Sequence, residues 1–253
     1  MKISSKVWNN YIKRLRMLDD AAAALVSKYI TTHNVATEEG IAALIAYSYA
    51  VATKYGEGSA ALSAEMYDVI ADLSGKYLPP AIPARTASYS ETARTVHGAQ
   101  IFSKDPEVTA SAVGRLVKQA GVDTTMQNAL RDGAEWAWIP SGDTCAFCIT
   151  LASRGWQKAS KKALKNGHAE HIHNNCDCTY AIRFNDNTNV EGYDPEEYRE
   201  WYDSESGKPK DKINAMRREI YADNKEQINA QKRSAYEKRK ELNSSAAEET
   251  MIK

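Results

Sequence analysis

Seven sulfur and nitrogen donors are gathered between residues 145 and 178: Cys145, Cys148, His168, His171, His173, Cys176 and Cys178. The chain holds four cysteines and all are in this stretch, with three of its five histidines. Cys145-Ala146-Phe147-Cys148 is a C-x2-C pair, which can present two thiolates to one ion from a single turn. A 24-residue interval, Ile149 to Ile172, separates it from His173-Asn174-Asn175-Cys176-Asp177-Cys178, an H-x2-C-x-C close. Zinc takes four such ligands in a tetrahedron, so there are more donors than places. The spacing predicts a zinc (Zn2+) site built from Cys145, Cys148, His173 and Cys176, with Cys178 as rival to Cys176 or His173. His168 and His171 read as outer or exposed groups. Four protein ligands leave no open position for water, so the expected role of the ion is structural: it clamps the intervening loop onto the rest of the chain.

Other chemistries remain open for the same residues. A disulfide or redox pair would use the C-x2-C thiols, but a thioredoxin-like pair needs a βαβ setting that the pattern does not offer. Inert packing would suit one cysteine better than four in a polar loop region. A Cys–His nucleophile would pair Cys145 or Cys148 with His171, yet thiolates that hold a metal are poor nucleophiles. His171-Ile172-His173-Asn174 allows a metal-dependent nuclease reading, without a supporting pattern around it. The loop carries Lys158, Lys161, Lys162 and Lys165, with Arg154 and Trp156 near its start, and reads as a solvated basic face that can touch phosphate. There is no phosphate loop, dinucleotide fingerprint or nucleophile elbow.

The elements that must position this cluster read as helices. The chain has 253 residues, of which 43% are apolar or aromatic, enough for a core. Its 33 basic and 33 acidic side chains cancel, which argues against a strongly basic nucleic-acid binder. Met1 to Asn10 has no signal-like apolar core, and the longest mostly apolar run, Ile41 to Ala52, is far short of a membrane span. A protein soluble in the cytoplasm is expected.

Val7, Tyr11, Leu15, Leu18, Ala22, Leu25 and Tyr29 recur at helical spacing, with Ser4 or Ser5 as cap. A second helix fits Thr37 to Tyr55, ended by Gly56-Glu57-Gly58, and a third fits Ser59 to Tyr77. Leu78-Pro79-Pro80-Ala81-Ile82-Pro83 is a breaker and a candidate hinge. Helices resume over Ser90–Phe102 and Pro106–Ala120, the latter ended by Gly121, and over Thr124–Ala137. Trp136, Trp138 and Trp156 flank the first cysteine pair and read as core around it. Thr179 to Phe184 alternates like a short strand. Asp194-Pro195 opens a helix to Tyr202, Ser204 to Lys210 reads as a linker, and Lys212 to Leu242 as a charged helix.

The stretch from Thr92 to Phe184 resembles the minor head proteins of tailed bacteriophages, the group named after the Mu head-morphogenesis protein F. The resemblance rests on Trp136-Ala-Trp138-Ile-Pro-Ser-Gly-Asp143-Thr-Cys145-Ala-Phe-Cys148, on Leu151-Ala-Ser-Arg154-Gly155, and on His173-Asn-Asn-Cys176-Asp-Cys178. Asn175 and Asp177 stand where that group often has a proline or a basic residue. The resemblance implies a virion protein of low copy number, inside the capsid or at the portal vertex, made in the host cytoplasm. It would act in head assembly and in DNA packaging or ejection. Portal protein and major capsid or scaffold protein are the implied partners, packaged DNA a further one, and a membrane is not among them.

The expected architecture is mainly α. A helical N-terminal region (1–78) leads into a minor-head-like core with a small zinc-clamped α+β region (84–202) and a charged helical C-terminal tail (203–253). The expected function is that of a structural minor capsid protein and not an enzyme. The alternatives are a virion enzyme (capsid-maturation protease or metal-dependent nuclease) using the same cluster, and a zinc-stabilised nucleic-acid-binding module.

Overall fold

Ser4 is extended (φ −62°, ψ 145°), and its hydroxyl accepts the Val7 amide at 3.3 Å, satisfying an amide that a helix start leaves without a partner. The computed structural model describes residues 2–141, 144–160, 178–230, 232–234 and 236–237. Helix α1 spans Ser5–Thr32. Its buried stripe is Trp8, Tyr11, Ile12, Leu15, Ala22, Val26 and Ile30, one residue later at several points than the spacing suggested, and Val7 is exposed.

Thr37 caps α2, which spans Glu38–Leu73, by accepting the Gly40 amide at 3.1 Å. The break expected at Gly56-Glu57-Gly58 does not occur, and the two expected helices are one. Each glycine costs roughly 1 kcal/mol of helix propensity, but both mark close approach, not a turn. A Cβ on Gly56 would lie 3.0 Å from Thr86 Cγ2, and one on Gly58 would meet Leu18 at 3.4 Å.

Helix α3 spans Tyr89–Phe102 behind a reciprocal capping box. The Glu91 carboxylate accepts the Ser88 amide at 2.7 Å and is gripped by Arg85 through two bonds of 2.7 and 2.8 Å. The Arg85 hydrogen bonds and the Ser88 amide hold its pKa down, from 4.5 to about 2. A depressed carboxylate stabilises the fold above its unfolded value and loses that contribution as pH falls through the folded one. Amide protection at the start of α3, taken as the exchange rate relative to the unstructured rate at the same pH, is therefore expected to fall as pH drops from 4.5 to about 2. Glu91→Gln should flatten that dependence. An unchanged protection factor across this window in the parent chain would refute the assignment.

The proline-rich segment before α3 is a strap held by side chains of two helices. Asp68 accepts the Ala81 amide at 2.8 Å. Asn128 accepts the Ile82 amide at 3.0 Å and donates to the Ile82 carbonyl at 2.9 Å. Thr124 accepts the Ala84 amide at 2.9 Å.

Helix α4 spans Pro106–Asp132, with Asp105 as cap and Pro106 in the first turn. It runs through Gly121, where an end was expected, because Gly121 lies at the crossing with α2: a Cβ there would be 2.6 Å from Ser59 Oγ and 2.7 Å from Ser63 Oγ. The helix stops at Gly133, which is left-handed (φ 68°), and the Ala134 amide bonds back to the Ala129 carbonyl at 2.9 Å. The helix expected over Thr124–Ala137 is thus the end of α4 followed by a strand.

Two small sheets follow. β1 (Lys2–Ile3) pairs in parallel with β5 (Asn189–Val190). β2 (Glu135–Ile139) lies between β3 (Gln157–Lys158) and β4 (Thr179–Arg183), both antiparallel to it. β4 falls where alternation placed a strand. β2 and β3 were not expected: the helical reading over Thr124–Ala137 took in the first half of β2, and β3 falls in the stretch read as loop.

Helix α5 spans Ala146–Ala152, α6 spans Pro195–Ser204 behind an Asp194 cap, and α7 spans Pro209–Asp223. Pro209 starts α7 within the expected linker, and the Asp211 carboxylate accepts the Lys208 amide at 3.1 Å. The long helix expected over Lys212–Leu242 is interrupted at Asn224, whose side chain donates to the Ile220 carbonyl at 3.0 Å; 225–230 is helical again. The fold is mainly helical with small sheets, as expected.

One apolar cluster joins the first half of α1, the second half of α2, the end of α4, the three-stranded sheet and α5. A second fills the other end of the α1–α2–α4 layer. A small third seats Met216 of α7 against Ala146 and Ile149 of α5. Among the described residues no helix is long and apolar enough to cross a membrane.

Candidate metal centre

The β2–β4 ladder brings the two ends of the cysteine region together. Ile139 pairs with Thr179, so the chain leaving β2 runs beside the chain entering β4. One step further, the Ser141 amide donates to Cys178 Sγ at 3.4 Å, and the same sulfur lies 3.9 Å from the Ser141 carbonyl. The chain then turns into α5, with Cys145 as its N-cap and Cys148 in its first turn. Spacing of three along that turn puts both thiols on one side of it. Cys145 is half-buried, while Cys148 and Cys178 are buried, and all three belong to or pack against the larger apolar cluster.

Aromatic rings wall this region. Trp136 and Trp138 each meet Tyr180 edge-on, at centroid distances of 4.8 and 4.6 Å. Burial pushes the Tyr180 hydroxyl pKa well above its ordinary value; the nearby Arg154 charge opposes the shift and Cys148 adds to it. Its hydroxyl has no hydrogen-bond partner among the described residues. On the far side of the sheet Arg183 lies over Trp156, 4.8 Å from the ring centroid, and pairs with Glu135 at 2.7 Å. Tyr193 donates to the Ala152 carbonyl at 2.9 Å and so ties the end of α5 to the loop before α6.

Of the expected ligands, the structure places Cys145, Cys148 and Cys178. His173 and Cys176 lie outside the described residues, as do His168, His171, Lys161, Lys162 and Lys165. The three placed cysteines share one cluster but do not converge as a ready set: among the described residues no three His, Cys, Asp or Glu side chains are grouped to hold an ion. Cys145 and Cys148, one helical turn apart, fit a borderline-soft ion such as zinc as half of a tetrahedral donor set. Cys178 meets the Ser141 backbone. Sequence reasoning missed Ser141 and Tyr180 as neighbours of the site, because only recognition of β2 would have put them beside it.

A model of the VG15 protein family matches residues 2–205. No curated protein and no solved structure matches the chain. The matched range runs from β1 to the end of α6 and includes every cysteine, and the chain belongs to the VG15 protein family, a family of bacteriophage proteins.

Proposed function

We propose that this protein is a minor head protein of a tailed bacteriophage, with a structural and not an enzymatic role in head assembly. Membership of a phage family over residues 2–205 carries the proposal, and the resemblance of the Trp136–Cys178 stretch to the Mu F-like group sharpens it. Portal protein and major capsid or scaffold protein are the partners this reading names, and packaged DNA is a further one.

The metal proposal within this reading is a zinc ion held by Cys145, Cys148, His173 and Cys176. When bound, the ion would supply a cross-link of several kcal/mol between α5 and the close of the loop. One observation favours this set over one that combines Cys178 with both Cys145 and Cys148: among the described residues those three do not form a group that could hold an ion. The Ser141 amide does not separate the sets, because an amide donor to sulfur also supports a metal-bound thiolate. Trp136, Trp138 and Tyr180 would exclude water from the inner side of the clamp.

The assembly role is testable in a phage that encodes this chain, with an early amber codon in its gene. Under non-suppressing conditions, infectious particles should fall by about a thousandfold or more, with free tails and aberrant or empty heads by electron microscopy. The chain should also be found in purified wild-type particles by mass spectrometry, in few copies relative to the major capsid protein. Normal particle yield without the protein, or its absence from purified virions, would overturn the reading.

A further inference from the structure

A groove of about 870 Å3 lies along α3 and α4, and no cysteine lines it. The two helices are joined by residues 103–105 and fold back on each other, with Gln100 of α3 donating to Thr109 of α4 at 2.8 Å. Ala99, Leu116, Ala120 and Met126 give the groove an apolar lining. At its mouth Phe102 lines the groove and is 85% exposed, and Ile101 beside it is equally exposed. Two adjacent large apolar side chains in water at the end of a groove mark an interaction surface.

The charges of the groove are unbalanced in one direction. Three guanidiniums (Arg85, Arg94 and Arg115) stand against two carboxylates (Glu91 and Asp123). Glu91 is taken by Arg85, and Asp123 accepts from Gln119 at 2.8 Å. Arg115 is half-buried among the apolar lining and makes no ion pair or hydrogen bond among the described residues. Burial alone lowers its pKa, so its charge has lost water without gaining a counter-ion. A desolvated, unpaired guanidinium is costly, and an incoming carboxylate that meets it bidentately removes the cost.

We propose that the α3–α4 groove is a docking site for an amphipathic helix of another protein, one whose apolar stripe covers Phe102 and Leu116 and carries an Asp or Glu against Arg115. A helix laid between two helices reads as apolar anchors at i, i+3, i+4 and i+7, and the acidic residue supplies the specificity. A purely apolar occupant would bury Arg115 unpaired, and a free anion would leave Phe102 and Ile101 in water.

The test uses the full-length chain and a displayed library of peptides about sixteen residues long, with apolar residues fixed at helical spacing and the other positions random. Selection should enrich Asp or Glu at a position flanking the apolar stripe. The best peptide, labelled with fluorescein, should bind about tenfold more weakly to Arg115→Met, and its acid-to-amide analogue should lose about as much on the parent chain. Phe102→Ser should also weaken it, with no fall in the melting temperature of either variant, since Phe102 is exposed and Arg115 is a desolvated charge with no partner to lose. Failure to select any binder, enrichment without an acidic residue, or equal binding to Arg115→Met would overturn the proposal. So would self-association of the chain, seen by sedimentation, that Arg115→Met abolishes, because the occupant would then be a second copy.

Discussion

Cys145→Ser is expected to yield a chain without bound zinc that is less stable than the parent by about 4 kcal/mol or more, the range reached when a structural metal is lost. The parent should carry close to one zinc per chain by plasma mass spectrometry, and a chelator should lower its melting temperature toward that of the variant. Cys176→Ser should behave like Cys145→Ser. Cys178→Ser separates the two possible ligand sets. If Cys178 only packs against Ser141 and the surrounding core, its loss removes a buried sulfur contact, costs about 1–2 kcal/mol and leaves the zinc in place. Loss of zinc from Cys178→Ser would overturn the proposed set and install Cys178 as a ligand. A parent chain purified reduced and without zinc would refute the metal centre altogether, while leaving membership of the phage family untouched.

What the sequence disclosed and what it hid divide along a physical line. Local chemistry was legible: Ser4, Thr37 and Asp194 all cap helices, because an N-cap needs only one side chain and the amides two or three residues on. Glycine was misread twice. Gly56 and Gly121 lie inside helices, since their lack of a Cβ serves contact with another element, and that element is invisible from a single window of sequence. Gly133, which does end a helix, had no such partner: its surroundings are empty and its backbone is left-handed. The same misreading hid β2. Once α4 is allowed to pass Gly121 and stop at Gly133, Glu135 to Ile139 is free to pair with the alternating strand at Thr179–Arg183. The clustering of cysteines and histidines between residues 145 and 178 stands out from spacing alone; the Ser141–Cys178 contact did not, because it is made by that unrecognised ladder.

Gly121→Val is expected to destabilise the protein by about 3 kcal/mol, the upper range for overpacking a tight core. At this crossing α2 and α4 come close only because small residues face each other. A Cβ would sit 2.6 and 2.7 Å from the Ser59 and Ser63 hydroxyls and 3.2 Å from the Ser59 carbonyl, which is main chain and cannot rotate away. Ser63 is also held in place, since its hydroxyl meets Tyr11 at 3.0 Å in the buried interior. Displacing it would break this buried hydrogen bond between α1 and α2, and burial already pushes the Tyr11 hydroxyl pKa up to about 12. The contrast is Gly98→Ala on α3. No atom lies within 4 Å of a Cβ there, so only helix propensity acts, and the change should stabilise by up to about 1 kcal/mol. Denaturant titration of the two variants should therefore move the midpoint in opposite directions. Pairing Gly121→Ala with Ser59→Ala should recover part of the loss of Gly121→Ala alone, as a coupling between touching sites requires. A neutral Gly121→Val would mean that α2 and α4 do not cross at this residue, and the close helix layer on which the sheet and the cysteine turn rest would have to be redrawn.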